Sequence, residues 1–339
     1  MSVYFIAEIG QNHNGEIGMA KELIDMAAQP IYHMGRRLPG VDAVKFQKRE
    51  LKEEMTIEEA GREYGGQSYM EHRKALELSY AEHSELCAYA HEKGLHFIET
   101  VCSPLALELI LEEFSPDKIK VASRDLDNVP LLRAIGRTFI PAILSTGMGT
   151  WADALQAAEE VGESVWALLH CVSTYPAAYA DLNLRCMSEA PIAYRVGYSD
   201  HTTGILAPAL AVAIGATVIE KHITLDPSLK GSDHAGSLAP GGLGRCVRDV
   251  RNAEIARGKG QKKSVPTSTQ TAQNKLRRSV CAAHDIKAGE VIKDADIVML
   301  SPGHGLSWYH RQAVVGKFAA RKIEKHHMIG AADVRSTRR

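Results

Sequence analysis

The stretch RVGYSDHTTGILAPALAVAIGATVIEKH, residues 195–222, carries one complete strand-helix-strand pattern. Apolar runs at 195–199 and 217–222 flank a helix-compatible segment at 205–214, and polar side chains close each run: Ser199 and His201 after the first, His222 at the end of the second. Two like strands joined through a helix are the repeating unit of a parallel sheet, which needs a crossover rather than a hairpin. The apolar stretch at 204–219 is interrupted by Pro208 and Gly215 and runs straight into Glu220, Lys221 and His222. It is too short and too broken to span a bilayer.

The same alternation extends towards the N-terminus. Short apolar runs at 3–9, 42–46, 96–100, 118–122, 141–145 and 165–172 are separated by helix-compatible segments such as 19–28, 81–93, 104–114 and 152–161. With the two runs above, that makes eight strands, and the expected fold is an α/β (β/α)8 TIM barrel rather than an open sheet. After a last helical stretch at 243–257, Lys, Gly, Ser, Thr and Gln replace the apolar period over 258–273, as in a linker. Beyond it, β-like runs at 279–283, 297–300 and 314–319 are separated by KAGE, SPGHG and IEKHH turns. The expected organisation is a barrel over 1–257, a linker over 258–276 and a small β-rich domain over 277–339.

Composition excludes several classes. In 339 residues, 45% are apolar and 24% charged, values of an ordinary globular chain and not of a collagen-like or disordered one. Forty basic residues against forty-one acidic give a net charge of −1, so there is no strong electrostatic case for nucleic acid or an anionic membrane, and small molecules are the expected partners. The first run contains Glu8 and has no Lys or Arg before it, unlike a signal peptide. A cytoplasmic protein is expected. Six cysteines without CxxC spacing point to reduced thiols rather than a zinc ribbon.

In a parallel barrel the carboxyl ends of the strands share one face, where catalytic groups collect. Nearly every predicted strand here ends in a polar side chain: Glu8, then Lys45 and Gln47, Thr100, Lys120 and Ser123, Ser145, His170 and Ser173, Ser199 and His201, and His222. Two lysines and a set of hydroxyls suit a phosphate with a carboxylate beside it. His201 and His222, at neighbouring strand ends, suit a divalent metal that takes its other ligands from water or substrate. Glu8 and Asp125, the latter just past the fourth strand, are expected to face one cavity as acid and base. GLGR at 242–245 follows no strand and is not read as a dinucleotide fingerprint.

FIAEIGQNHNG (5–15), VKFQ (44–47), KVAS (120–123), LSTGM (144–148), LHCVSTYP (169–176), GYSDHTTG (197–204) and EKHITLD (220–226) stand in order along the chain. This series resembles the sialic acid synthase family over about 3–257. DIKAGEVI and GKFAARKIEK in the tail resemble that family's antifreeze-like (SAF) domain. The resemblance implies metal-dependent condensation of phosphoenolpyruvate with an aldose such as N-acetylmannosamine, giving a 2-keto-3-deoxy sugar acid and phosphate. By matched position, it places phosphoenolpyruvate on Lys45, Thr100, Lys120, Ser123, Ser145, Ser173 and Ser199, and the sugar beside Gln47 and Tyr175. It gives His201 and His222 a divalent ion, Mn2+ in the first place, with Mg2+ or Co2+ as alternatives. Glu8 becomes the leading acid/base, with Asp125 and Asp233 as further carboxylates, and a domain-swapped homodimer is implied. The alternatives are a related barrel synthase using a phosphorylated or unacylated aldose and a non-catalytic carbohydrate-binding protein.

Three features depart from the family pattern. QPIYHMGRRLPG (29–40) lengthens the connection before the second strand and is expected to reshape the mouth of the barrel. Arg124 and Asp125 stand where a Glu is usual after the fourth strand. Ser301 precedes Pro302 and Gly303 where the family presents an Arg to the acyl-amino group of the sugar, which points to an acceptor with a different C2 substituent.

Overall fold

The computed structural model describes residues 2–258 and 265–338. Eight parallel strands close into a barrel: β1 (Tyr4–Gly10), β2 (Ala43–Lys48), β3 (His96–Val101), β4 (Lys118–Val121), β5 (Ala142–Ser145), β6 (Val165–Cys171), β7 (Val196–Asp200) and β8 (Val218–His222). Each pairs with its neighbours in sequence order, and closure runs through β1, which pairs with β8 at Glu8–His222 and with β2 at Glu8–Lys45. All eight predicted runs are therefore strands of one closed sheet, with ends shifted by a residue or two.

Outer helices α1 (Ile17–Ala27), α2 (Tyr80–Glu92), α3 (Pro104–Glu113), α4 (Val129–Gly136), α5 (Trp151–Val161), α6 (Leu206–Ile214) and α7 (Pro240–Arg257) cover the sheet. Several start at strong caps. Ser79 with Glu82 and Thr150 with Asp153 form reciprocal capping boxes on α2 and α5, and Ser103 caps α3 ahead of Pro104. Each cap satisfies backbone N–H groups that the first turn leaves free. Between β6 and β7, short 3-10 turns (Tyr179–Asp181 and Leu184–Glu189) stand in place of a barrel helix.

The two-residue alternation of the strands divides the chain chemically. Phe5, Ala7, Ile9, Val44, Phe46, Phe97, Tyr198 and Ile219 face the helices and pack with Leu23, Leu86, Ala211 and Val247. Their alternates, Ile6, Ala43, Ile98, Ile143, Leu169 and Val218, fill the middle of the barrel. Gly197 on β7 has no room for a side chain, since a Cβ would lie 2.5 Å from Leu169 Cδ2 and 2.6 Å from Val218 Cβ. Above this apolar plug, the next inward position on each strand carries the polar residues of the mouth.

The lengthened stretch at 29–40 folds as a hairpin, Ile31–His33 against Arg36–Leu38. It does not reshape the mouth. A loop from a helix into a strand enters at the strand's amino end, the opposite face of the barrel, and there Arg251 of α7 donates to the carbonyls of Pro39 and Gly40. No helix among the described residues is long and apolar enough to cross a membrane.

The chain divides into two compact units, 1–258 and 259–339. Of the predicted linker, 259–264 lie outside the described residues, and Gln270–Leu276 is a helix belonging to the second unit rather than extended chain. The second unit pairs Ser279–Ala282 with Ile297–Leu300 and Phe318–Ala319 with Val334–Arg335, both antiparallel, around Val280, Ile286, Ile292, Val314, Ile323 and Ile329.

Candidate active site

A cavity of about 230 Å³ opens at the carboxyl ends of the strands. Its walls bring together Glu8, Lys45, Gln47, Thr100, Lys120, Ser123, Ser145, Ser173, Tyr175, Ser199, His201 and His222. They also include Arg49, Cys102, Arg124, Met148, Cys171 and Glu220, none of which the sequence reading placed in the site. His170 turns away and contacts the carbonyl of Leu182 at 2.7 Å.

On the β8-β1-β2 side the charges are paired. Lys45 Nζ lies 2.8 Å from Glu8 Oε2 and donates to Thr100 Oγ1 at 2.9 Å, while Gln47 Nε2 donates to Glu8 Oε1 at 2.7 Å. Glu220 accepts from Ser199 Oγ at 2.8 Å through one oxygen, and its other oxygen stands 3.9 Å from both Lys45 and Lys120. That separation is too long for a hydrogen bond.

Burial pushes the Glu8 carboxyl up to about 7, against the pull of Lys45. Burial also works against ionisation of Glu220, yet Lys120, Lys45 and the Ser199 hydroxyl hold it down at about 2. The two neighbouring carboxyls are pushed in opposite directions, Glu8 up and Glu220 down, a separation of the kind found at acid/base sites. Burial lowers Lys120, with Glu220 opposing, whereas Glu220 and Glu8 outweigh burial at Lys45 and raise it.

The β4-β5-β6 side is lined by hydroxyls. Ser123 Oγ accepts from the N–H of Gly147 at 2.9 Å and lies 3.1 Å from Cys171 Sγ. A Cβ on Gly147 would fall 2.3 Å from Ser173 Oγ, 2.5 Å from Cys171 Sγ and 2.9 Å from Ser123 Oγ, so the missing side chain is what lets these groups converge. Ser145 Oγ is buried with no hydrogen-bond partner. An anion entering here would meet donors already in place.

His201 and His222 form the third wall, their rings 5.7 Å apart. His201 Nδ1 donates to the carbonyl of Val172 at 2.8 Å, which leaves the Nε2 lone pair facing the Tyr175 hydroxyl at 3.0 Å. His222 Nδ1 is buried without a partner. Burial lowers both imidazoles, His201 to about 4 with help from His222, so both are neutral at pH 7. Neutral rings, one oriented by a backbone carbonyl, are what a divalent ion requires of histidine ligands. Among the described residues no cluster of three or more His, Cys, Asp or Glu has metal-holding geometry, so the pair fits an ion that completes its shell with water or substrate.

The remaining carboxylates separate. Asp233 accepts from Ser232 Oγ at 2.8 Å and lines an adjoining cavity, also about 230 Å³, which shares Tyr175, His201 and His222 with the first. Asp125 is not among the residues that line the cavity of Glu8. It lies in the 3-10 turn Ser123–Asp125, where two residues at three per turn point in different directions. Its carboxylate takes Asn128 Nδ2 and Arg124 Nε, each at 3.4 Å, and borders, with Glu53, Glu54 and Glu59, a neighbouring hollow that shares Cys102 and Arg124 with the first. Glu220 could have been found from the sequence, because it precedes His222 by two residues on one strand and so shares its face.

Comparison with known proteins identifies the family. The NeuB family model matches residues 37–262, and the SAF domain model matches 277–335. N,N'-diacetyllegionaminic acid synthase of Legionella pneumophila is 36% identical over 332 residues, covering 93% of this chain and 90% of that protein. Human N-acetylneuraminate-9-phosphate synthase is 37% identical over 300 residues, covering 85% and 80%. The crystal structure of an N-acetylneuraminic acid synthetase from Leptospira borgpetersenii superposes with a TM-score of 0.68 at 30% identity, over 80% of this chain and 90% of that one. The chain belongs to the NeuB family and ends in a SAF domain.

Proposed function

We propose that this chain is a phosphoenolpyruvate-dependent nonulosonic acid synthase, condensing phosphoenolpyruvate with an N-acetylmannosamine-like aldose to give a 2-keto-3-deoxy sugar acid and phosphate. The observation that carries the reading is the three-walled cavity: a hydroxyl cradle around Lys120, a buried Glu8 whose carboxyl is pushed up, and a pair of neutral histidines. Ser123, Ser145 and Ser173 with Lys120 hold the phosphate, and Lys45, Thr100 and Ser199 hold the carboxylate. Gln47 and Tyr175 line the sugar side, and Asp233 stands beyond the histidines where the rest of the sugar extends. Asp125, held by Arg124 and Asn128 in the neighbouring hollow, is a further carboxylate at the edge of the site.

The methylene carbon of phosphoenolpyruvate attacks the aldehyde carbon, and the new C–C bond forms as the aldehyde oxygen takes up a proton. Water adds to the cationic C2, and the tetrahedral centre collapses by breaking its C–O bond to phosphate. Glu8, its carboxyl pushed up by burial, gives the proton to the aldehyde oxygen or takes one from the attacking water. Glu220 stays ionised and balances the lysines between turnovers. His201 and His222 would hold a divalent ion, Mn2+ in the first place, which when bound supplies Lewis-acid polarisation of the aldehyde.

The acceptor follows from Ser301. Its hydroxyl donates to the Leu276 carbonyl at 3.3 Å within the second unit, and it offers no guanidinium to an acyl group. We propose an aldose differing from N-acetylmannosamine at C2, such as mannose or a diamino dideoxy sugar, and a homodimer in which the SAF domain caps the partner's barrel. The test measures phosphate release from phosphoenolpyruvate with a panel of aldoses, phosphorylated and not, with and without Mn2+. Release with none of them sinks the synthase reading, and a clear preference for N-acetylmannosamine sinks the acceptor reading.

A further inference from the structure

Arg124 is a cavity residue that the mechanism above leaves unused. It directly follows Ser123 and lines the same wall as Ser123, Met148 and Ser173. Its guanidinium is fixed from three directions: Nη1 lies 2.8 Å from Glu54 Oε1, Nε lies 3.4 Å from Asp125 Oδ2, and Nη2 donates to Cys102 Sγ at 3.1 Å. Glu54 is shared, since Arg49 Nη1 reaches the same oxygen at 2.5 Å. The two guanidiniums thus meet at one Glu54 oxygen, and with Nε, one Nη1 hydrogen and one Nη2 hydrogen engaged, Arg124 keeps two N–H donors for a ligand.

The lysines are occupied to different extents. Lys45 is committed to Glu8 and Thr100. Lys120 has only the Val121 carbonyl at 3.3 Å and Glu220 at 3.9 Å, with the serine cradle beside it. A phosphoryl group presents three terminal oxygens, more acceptor capacity than one ammonium and a few hydroxyls satisfy. A guanidinium adds rigid paired donors of the kind that phosphate geometry favours.

We infer that Arg124 is a further phosphate-binding residue, contacting the phosphoryl group of phosphoenolpyruvate beside Lys120 and Ser123 while Glu54 and Asp125 hold its guanidinium in place. The inference rests on the phosphoenolpyruvate reading above and adds to it a residue outside the serine-lysine set. It also gives the departure at 124 a function: an added donor on the phosphate wall.

Calorimetric titration of the full-length protein with phosphoenolpyruvate, and separately with inorganic phosphate, tests this without any acceptor. Arg124→Gln is expected to weaken both by about tenfold, the scale of one lost hydrogen bond to a charged group. In turnover, KM for phosphoenolpyruvate rises while kcat and the aldose KM hold. If Arg124→Gln folds poorly, Arg124→Lys keeps the charge without the paired donors and should show a smaller loss of the same kind. Unchanged phosphoenolpyruvate affinity in a folded variant, or a rise in aldose KM alone, overturns the assignment while leaving the synthase reading standing. A wild-type chain that binds neither phosphoenolpyruvate nor phosphate overturns both.

Discussion

The two ends of the barrel bury polar groups in opposite ways. At the amino ends of the strands, Tyr4 meets His96 Nδ1 at 2.6 Å and packs edge-on to Trp166 with ring centres 5.1 Å apart. Lys118 sits over both rings at 5.0 and 4.9 Å, and Arg195 covers Trp166 at 4.3 Å. Each cation has a π face near it, and the apolar side chains of the plug close the barrel above them. At the carboxyl ends, Ser145 Oγ, His222 Nδ1 and one oxygen of Glu220 are buried without hydrogen bonds. Unsatisfied buried polar groups destabilise a fold by about 1–3 kcal/mol each, so they persist where a ligand satisfies them. One end of this barrel holds the structure together, and the other is arranged for a guest.

Substitutions at the two ends should therefore separate activity from stability. The largest effect belongs to the histidines: His201→Ala or His222→Ala is expected to abolish condensation and weaken Mn2+ binding, with little change in Tm. Unchanged Mn2+ affinity by titration in both variants would remove the metal assignment. Trp166→Ala, at the other end, should cost about 3 kcal/mol of stability, the lower end for truncating an aromatic because Trp166 is only half-buried. Denaturant unfolding measures that loss, and kcat per folded molecule should be intact; a large fall in kcat would show that the plug is coupled to the site. Glu8→Gln should lower kcat by about 10²-fold, the scale of a lost general acid or base, while phosphoenolpyruvate still binds. Near-normal turnover would return Glu8 to a structural role. Tyr4→Phe, losing one hydrogen bond, should reduce stability by only about 1 kcal/mol and leave kinetics unaltered.

The site was partly readable before folding. Glu8, Lys45, Lys120, Ser145, Ser199 and His222 end predicted strands on the inward phase, and a closed parallel sheet has no way to keep such positions apart. Arg49 and Arg124 were less accessible, since each lies past its strand, where no period dictates direction. Arg124 lines the cavity while its guanidinium pairs with Glu54 of the short helix Leu51–Glu54 after β2. That helix had no counterpart in the sequence reading, and neither did the salt bridge.

The sequence by itself determined the eight-stranded parallel barrel, its β-rich tail and the polar character of one rim. Those properties follow from strand periodicity, from crossover helices and from the shift in composition after residue 257. Only the tertiary structure decided which rim residues meet. Closure of β8 onto β1 put Glu220 within reach of both lysines, the 3-10 turn after β4 set Asp125 in the neighbouring hollow, and the face on which a helix-to-strand loop must lie carried 29–40 away from the mouth. The reason is physical: alternation along one strand is a local property, whereas the distance between charges on different strands is set by how the sheet closes.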